Sequence, residues 1–182
     1  MRLLILADID DLHWRHGTGV ADLVIALGDI ADSVILEAAA SFGYPPIFAV
    51  KGNHDADTAF PAGIEDLHLN HIQFGGLAFG GFNGSWKYKP RGHFLYEQSE
   101  ATALIERLPA VDVFLSHNSP RHIHDKEDET HYGFEALNAY IARHQPRLLL
   151  HGHQHVNQET MVHGTRVIGV YGHRVLEITL SQ

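Results

Sequence analysis

The 182-residue chain contains no cysteine. This excludes disulfides and thiolate-held metals, so any transition metal must be bound through nitrogen and oxygen, a donor set better suited to hydrolysis than to redox chemistry. The chain also lacks an apolar run long enough to cross a bilayer, and no membrane association is expected. Its opening, Met1-Arg2-Leu3-Leu4-Ile5-Leu6, leads straight to Asp8 without the pattern of a signal peptide, and the expected compartment is the cytoplasm. Basic charge is scarce: 13 Lys and Arg stand against 22 Asp and Glu, a net charge of -9. A sequence-independent grip on a nucleic-acid backbone needs a basic face, so nucleic acid is disfavoured as a partner except through a local basic loop.

The length and the 45% apolar content fit one domain, residues 1–182, with a well-buried core. Sixteen histidines are far above the usual share, and histidine is the commonest side-chain metal ligand. Short β-branched and leucine-rich runs predict strands at Leu3–Ala7, Leu23–Leu27, Ile47–Val50, Val111–Ser116 and Arg147–Leu150, with a last one at Arg174–Leu180. Helical spacing covers Ser33–Phe42, Glu97–Leu108 and Gly133–Arg143. Hairpins are expected at His71–Phe82 around Gly75-Gly76 and at Glu159–Val170 around His163-Gly164. Crossovers early and hairpins late indicate an α/β fold of two packed, mostly mixed β-sheets flanked by helices.

Polar residues fall at informative places. Asp8, Asp29, Asn53, His117 and His153 each stand just beyond a predicted apolar strand, and ligands of open α/β sheets gather outside the carboxyl ends of strands. The segments are Asp8-Ile9-Asp10, Gly28-Asp29, Gly52-Asn53-His54-Asp55, Ser116-His117-Asn118 and Gly152-His153-Gln154-His155. Alone, each also reads as an ordinary turn or cap, and Gly28-Asp29 carries almost nothing by itself. Their joint order argues for one site. In extended backbone, residues two apart share a side, which would let Asp8 act with Asp10 and His153 with His155. The candidate donors Asp8, Asp10, Asp29, Asn53, His117, His153 and His155 exceed what one open hydrolytic ion needs, and suit two ions about 3.5–4 Å apart.

Taken in order, these segments resemble the calcineurin-like metallophosphoesterases, whose pattern is Asp-x-His, Gly-Asp, Gly-Asn-His-Asp/Glu, a later His, then Gly-His-x-His. The resemblance implies a four-layer αββα sandwich and two divalent ions, with Mn²⁺ expected first and Fe, Mg²⁺ or Zn²⁺ as alternatives. It implies that Asp29 bridges both ions, that Asp8 and His155 complete one site, and that Asn53, His117 and His153 hold the other. A bridging hydroxide would attack phosphorus, and His54 would face the substrate as general acid or positive partner. Asp55 would favour and orient the protonated His54 imidazole. One departure is Asp10, where the family usually has histidine; a hard acidic ligand there tilts the site away from Zn²⁺, and His13 or a water is the alternative occupant.

The implied substrate is a small phosphorylated molecule, a phosphodiester or a phosphomonoester, in a shallow and open cleft. A nuclease is the runner-up activity, and a non-catalytic scaffold that retains the fold is the alternative class. Substrate contacts are expected from Arg121 and from Lys87, Lys89 and Arg91 in the aromatic and basic stretch Trp86–Arg91, which an ordinary exposed loop would also explain. His151 is expected to support the site from behind. Lone His16, His68, His71, His93, His144, His163 and His173 are taken as surface or hydrogen-bonded residues.

Overall fold

The computed structural model describes residues 1–179. Two sheets lie face to face. The first contains β1 (Arg2–Ala7), β2 (Leu23–Ala26), β3 (Ile47–Ala49), the two-residue β4 (Glu65–Asp66) and the last strand, β13 (Gly172–Glu177), in the order β13-β1-β2-β3-β4. Only β13 runs antiparallel within it. The second contains β5 (His71–Phe74), β6 (Leu77–Phe82), β9 (Val113–Ser116), β10 (Leu148–His151), β11 (Gln158–Val162) and β12 (Thr165–Gly169), in the order β11-β12-β10-β9-β6-β5. Its inner strands are parallel and its edges, β5 and β11, antiparallel.

The strands of the first sheet read as unbroken apolar runs because both faces are covered. Leu3, Ile5 and Ala7 point between the sheets, where they meet Leu23, Ile25, Val113, Leu115, Leu150 and Ile168. Leu4 and Leu6 point outward against Val34, Ile35 and Ala38 of α1 (Asp32–Ser41). The outer face of the second sheet is covered by α2 (Gln98–Ile105) and α3 (Glu135–His144), through Ile105, Leu137, Tyr140 and Ile141 packed on Phe114 and Leu149. Each such fully buried side chain contributes about 1.5–3 kcal/mol. The result is the expected four-layer arrangement of helix, sheet, sheet and helices.

Both expected hairpins form. Gly75 and Gly76 turn β5 into β6 with φ of 56° and 80°, and His163 and Gly164 turn β11 into β12 with φ of 49° and 87°. Positive φ at both central residues matches the twist of paired strands. The last strand starts earlier than expected and ends at Glu177; Leu180, expected to close it, lies outside the described residues. The short β4 and the separate pair β7 (Ser85–Trp86) and β8 (Leu95–Tyr96) have no counterpart in the sequence expectations. No helix among the described residues is long and apolar enough to cross a membrane.

Candidate metal centre

Five carboxyl-terminal strand ends converge where the two sheets meet. Asp8 follows β1, Asp29 lies beyond β2, Asn53 beyond β3, His117 follows β9, and His153 lies beyond β10. They bound an open cleft of about 590 Å³ whose walls include Asp8, Asp10, Asp29, His54, His153 and His155. Asn53 and His117, nearly or fully buried, sit behind it.

Asp29, His117 and His153 each offer a ligand atom, and these atoms lie within 4.8 Å of one another. The imidazoles are held from behind. His117 Nδ1 donates to the Leu27 carbonyl at 2.7 Å, so Nε2 faces Asn53 Oδ1 at 3.1 Å and Asp29 Oδ2 at 3.4 Å. His153 Nε2 donates to the Thr130 carbonyl at 3.0 Å, which leaves the Nδ1 lone pair free in the neutral ring. A histidine that spends one nitrogen on a main-chain carbonyl presents the other as a fixed, basic donor, the usual support of a metal-bound imidazole. Asp8 Oδ2 accepts the His153 amide N–H at 2.8 Å, while the buried Oδ1 has no hydrogen-bond partner among the described residues and stands 3.6 Å from His155 Nε2. A buried carboxylate oxygen without a donor is costly unless a cation completes it.

Burial resists charge on His117, but Asp29 and Asp8 beside it outweigh this and carry its pKa up to about 9. Asp29 moves the opposite way: burial opposes its ionisation, yet His117 and the His54 amide hold it well below the usual carboxylate range. Burial and the charge of His117 together keep His153 neutral. Asp29 and Asp8 thus favour a positive charge beside them, which a divalent cation would supply.

The backbone is bent to make these approaches. Asp8, Asp29, His153 and His155 have φ of 53°, 54°, 62° and 52°. These left-handed conformations cost non-glycine residues about 1–2 kcal/mol each and concentrate at functional sites. They also correct the expectation of extended pairs: Asp8 stands at a bend, and His153 and His155 each take left-handed backbone, so strand alternation sets neither pair. Gly52 passes so close to the Asp29 carboxylate that a Cβ there would fall 2.0 Å from Oδ1. Gly52→Ala is therefore expected to destabilise the fold by about 1–3 kcal/mol and to sharply reduce cation retention, readable by urea unfolding and bound metal per chain.

His155 is half-exposed, reaches Asp8 and stacks on Tyr171 with ring centroids 4.7 Å apart. Asp10 is exposed on the cleft wall, outside the tight group of Asp29, His117 and His153. His13 points elsewhere, its Nδ1 3.1 Å from Glu37 Oε1, so it does not fill the position that Asp10 leaves open. His151 is fully buried, donates from Nδ1 to the Gly152 carbonyl at 3.0 Å and accepts at Nε2 from His124 Nδ1 at 2.9 Å. Burial, aided by nearby His124 and His117, pushes His151 down to about 3. The folded protein keeps it neutral while the unfolded chain protonates near 6.5. Its stabilising contribution is full above that value and drains as pH falls toward about 3, by ~1.4 kcal/mol per pH unit at most. Urea midpoints between pH 7 and 4 should show this slope, and His151→Asn should flatten it.

Three expectations are corrected. Asp55 does not orient the His54 ring. Its Oδ2 accepts the amide N–H groups of Asp29 at 3.0 Å and Gly52 at 2.7 Å, and its Oδ1 accepts that of Ile30 at 3.1 Å. It clamps two site loops together. Burial nevertheless pushes its pKa up, opposed by the Gly52 amide. Arg121 does not face the cleft: it is buried, bonded to Asp125 at 2.5 Å and Glu127 at 2.8 Å, and stacked 3.6 Å over the Tyr132 ring. Lys87 pairs with Glu97 at 3.3 Å, Lys89 lies over the Tyr88 ring, and neither they nor Arg91 line the cleft. That loop meets the centre through Tyr88, whose hydroxyl accepts from Asn53 Nδ2 at 3.3 Å.

Two cleft residues, Thr130 and His131, were not singled out from the sequence. They sit in the polar run Asp125–His131, which reads as an ordinary solvated loop, and long-range bonds from His153 to Thr130 and from Gln154 to His131 bring them to the centre.

Oxygen and imidazole donors gathered at the meeting edge of two mixed sheets define a metal-binding α/β protein with hydrolytic rather than redox donors. The chain belongs to the calcineurin-like phosphoesterase superfamily, whose domain matches residues 1–170. No curated protein matches its sequence. Solved structures share the fold at low identity. Phosphopantetheinyl hydrolase from Mycobacterium tuberculosis aligns with a TM-score of 0.61 and 14% identity, over 93% of this chain and 89% of that one. TT1561 of Thermus thermophilus gives 0.59 and 16%, over 94% and 89%. A Vps29 variant from Entamoeba histolytica gives 0.51 and 16%, over 98% and 86%. The family uses divalent metals, and Asp29, His117 and His153 form a possible site for one here.

Proposed function

We propose that this protein hydrolyses phosphodiesters or phosphomonoesters of small molecules with two divalent cations, Mn²⁺ first among them. The observation that carries the reading is the pairing of a preformed Asp29, His117 and His153 group with the partnerless buried Oδ1 of Asp8 beside His155. In this reading Asp29 serves both ions. His117, His153 and Asn53 would hold one, and Asp8 and His155 would hold the other, with Asp10 on the cleft wall nearby. Two bound cations would supply the positive charge that draws in a phosphate and the acidity that makes water a nucleophile near neutral pH.

The chain's own residues do the rest. The His54 amide donates to Asp29 Oδ1 at 2.8 Å, which fixes the exposed imidazole on the cleft wall next to the bridging carboxylate. From there it donates a proton to the departing alcohol oxygen. Asp32 on the cleft wall is neutralised by Lys51 at 3.0 Å, but Asp10 and Asp11 at the rim repel a long polyanion, which supports a small ester over a nucleic acid. A phosphopantetheinyl hydrolase has this fold, and that keeps a small phosphorylated group among the substrates to assay. Vps29 also has it, but the retention of His54 and of the metal donors supports catalysis over a scaffold.

The test is a panel of aryl mono- and diesters assayed with Mn²⁺, Mg²⁺, Fe²⁺ and Zn²⁺, with metal per chain measured in parallel. Metal-stimulated turnover is expected, falling about 10²-fold or more in His54→Ala. Absence of turnover on every ester by metal-loaded protein would overturn the reading. Within the same assay, Asp10→Asn should weaken metal retention and activity more than His13→Ala.

A further inference from the structure

The segment Thr130-His131-Tyr132 is suspended from the metal-site motifs by three consecutive carbonyls. Thr130 O accepts from His153 Nε2 at 3.0 Å, His131 O from Gln154 Nε2 at 2.9 Å, and Tyr132 O from Asn118 Nδ2 at 2.9 Å. The donors are two residues of Gly152-His153-Gln154-His155 and the neighbour of His117. Gln154 and Asn118 are fully buried, so these bonds are shielded from competing water. Arg121 secures the segment from the far side by covering the Tyr132 ring and pairing with Asp125.

This suspension places the His131 ring against the centre, with its centroid 5.4 Å from that of His153 and 6.2 Å from that of His155. The ring's orientation is set by Asp128. His131 Nδ1 lies 2.9 Å from both Asp128 carboxylate oxygens, and the His131 and Thr130 amides donate to Oδ1 at 2.7 and 3.0 Å. Since Nδ1 is engaged by Asp128, Nε2 is the ring atom left for the cleft that His131 lines. His131 is not in the tight group of Asp29, His117 and His153, so the geometry suits a ligand-facing group better than an ion ligand. His54 rises from the loop after β3 of the first sheet and His131 from the segment after β9 of the second, and both line the cleft.

We infer that His131, oriented by Asp128, is a substrate-binding residue that presents Nε2 to the phosphate group of the ester in the cleft. The inference rests on the phosphoesterase reading for the identity of its ligand. With Nδ1 held by Asp128, Nε2 is the atom the ring offers to a polar group of the ester. Asp128 is a positioning residue. It acts only through the ring.

The test uses Mn²⁺-loaded wild type, His131→Gln, His131→Asn and Asp128→Asn, and reads inorganic phosphate inhibition, KM and kcat on an aryl ester, bound metal and Tm. Both His131 variants are expected to raise the phosphate inhibition constant and KM about tenfold or more, with kcat less affected and metal content and Tm at wild-type levels. Asp128→Asn should move the same constants part of the way. Unchanged phosphate inhibition and KM would overturn the inference, as would loss of bound metal in the His131 variants, which would make His131 an ion ligand. If wild type hydrolysed no ester, the functional reading would fail separately. Calorimetric titration of inorganic phosphate into metal-loaded wild type and His131→Gln would still decide this point, with equal binding, or none to wild type, counting against it.

Discussion

Asp29→Asn should reduce cation retention below detection in a desalted sample and lower ester hydrolysis on the order of 10³-fold, the scale at which a reaction loses a principal stabiliser of its developing charge. The substitution keeps the shape of the side chain and an oxygen for the His54 amide, which Asp29 Oδ1 now accepts at 2.8 Å. What it removes is charge. That charge faces His117 Nε2 at 3.4 Å and is the main attraction behind the raised pKa of His117, which should fall in the variant. Metal analysis after gel filtration and turnover in excess Mn²⁺ read the two effects separately. Retained metal with full activity would show that Asp29 is not the shared ligand.

The second large effect separates two neighbours in the chain. Asp55→Ala should lower stability by about 3 kcal/mol or more, because three amide N–H groups in half-buried loops lose their charged acceptor. For a chain of this size that corresponds to a fall in Tm of about 6–12 °C. His54→Ala, at an exposed position, should change stability by no more than about 0.5 kcal/mol while removing most activity. Thermal melts and rates on the same preparations give the comparison. A stable Asp55→Ala protein with a loss of rate equal to that of His54→Ala would restore a catalytic partnership between the two residues, against the geometry.

Much of this was legible in the sequence. Leu3–Ala7 and Leu23–Leu27 read as strands because burial on both faces leaves no polar alternation, and glycine-marked turns announced both hairpins. The candidate ligands were legible because Asp8, Asp29, Asn53, His117 and His153 all fall at one end of parallel strands, a placement that periodicity can detect. Side-chain direction within the turns was not legible. Asp55 adjoins His54 in sequence, yet the turn sends its carboxylate under the site to three amides. Arg121 follows His117 closely, but Asp125 and Glu127 draw it away from the cleft. The segment that carries His131 reaches the cleft through bonds to residues more than twenty positions distant, which the polar run Asp125–His131 does not signal in sequence. The two-residue strands β4, β7 and β8 are too short to carry a period.

The central claim is that strand-end donors from both sheets hold a pair of cations on a shared Asp29. Anomalous diffraction from crystals soaked in Mn²⁺ tests it most directly. Two peaks are expected about 3.5–4 Å apart, both within bonding distance of Asp29, one adjoining His117 and His153 and the other adjoining Asp8 and His155. A saturated crystal with no peak at Asp29, or with a single ion that leaves Asp8 Oδ1 without a partner, would contradict it.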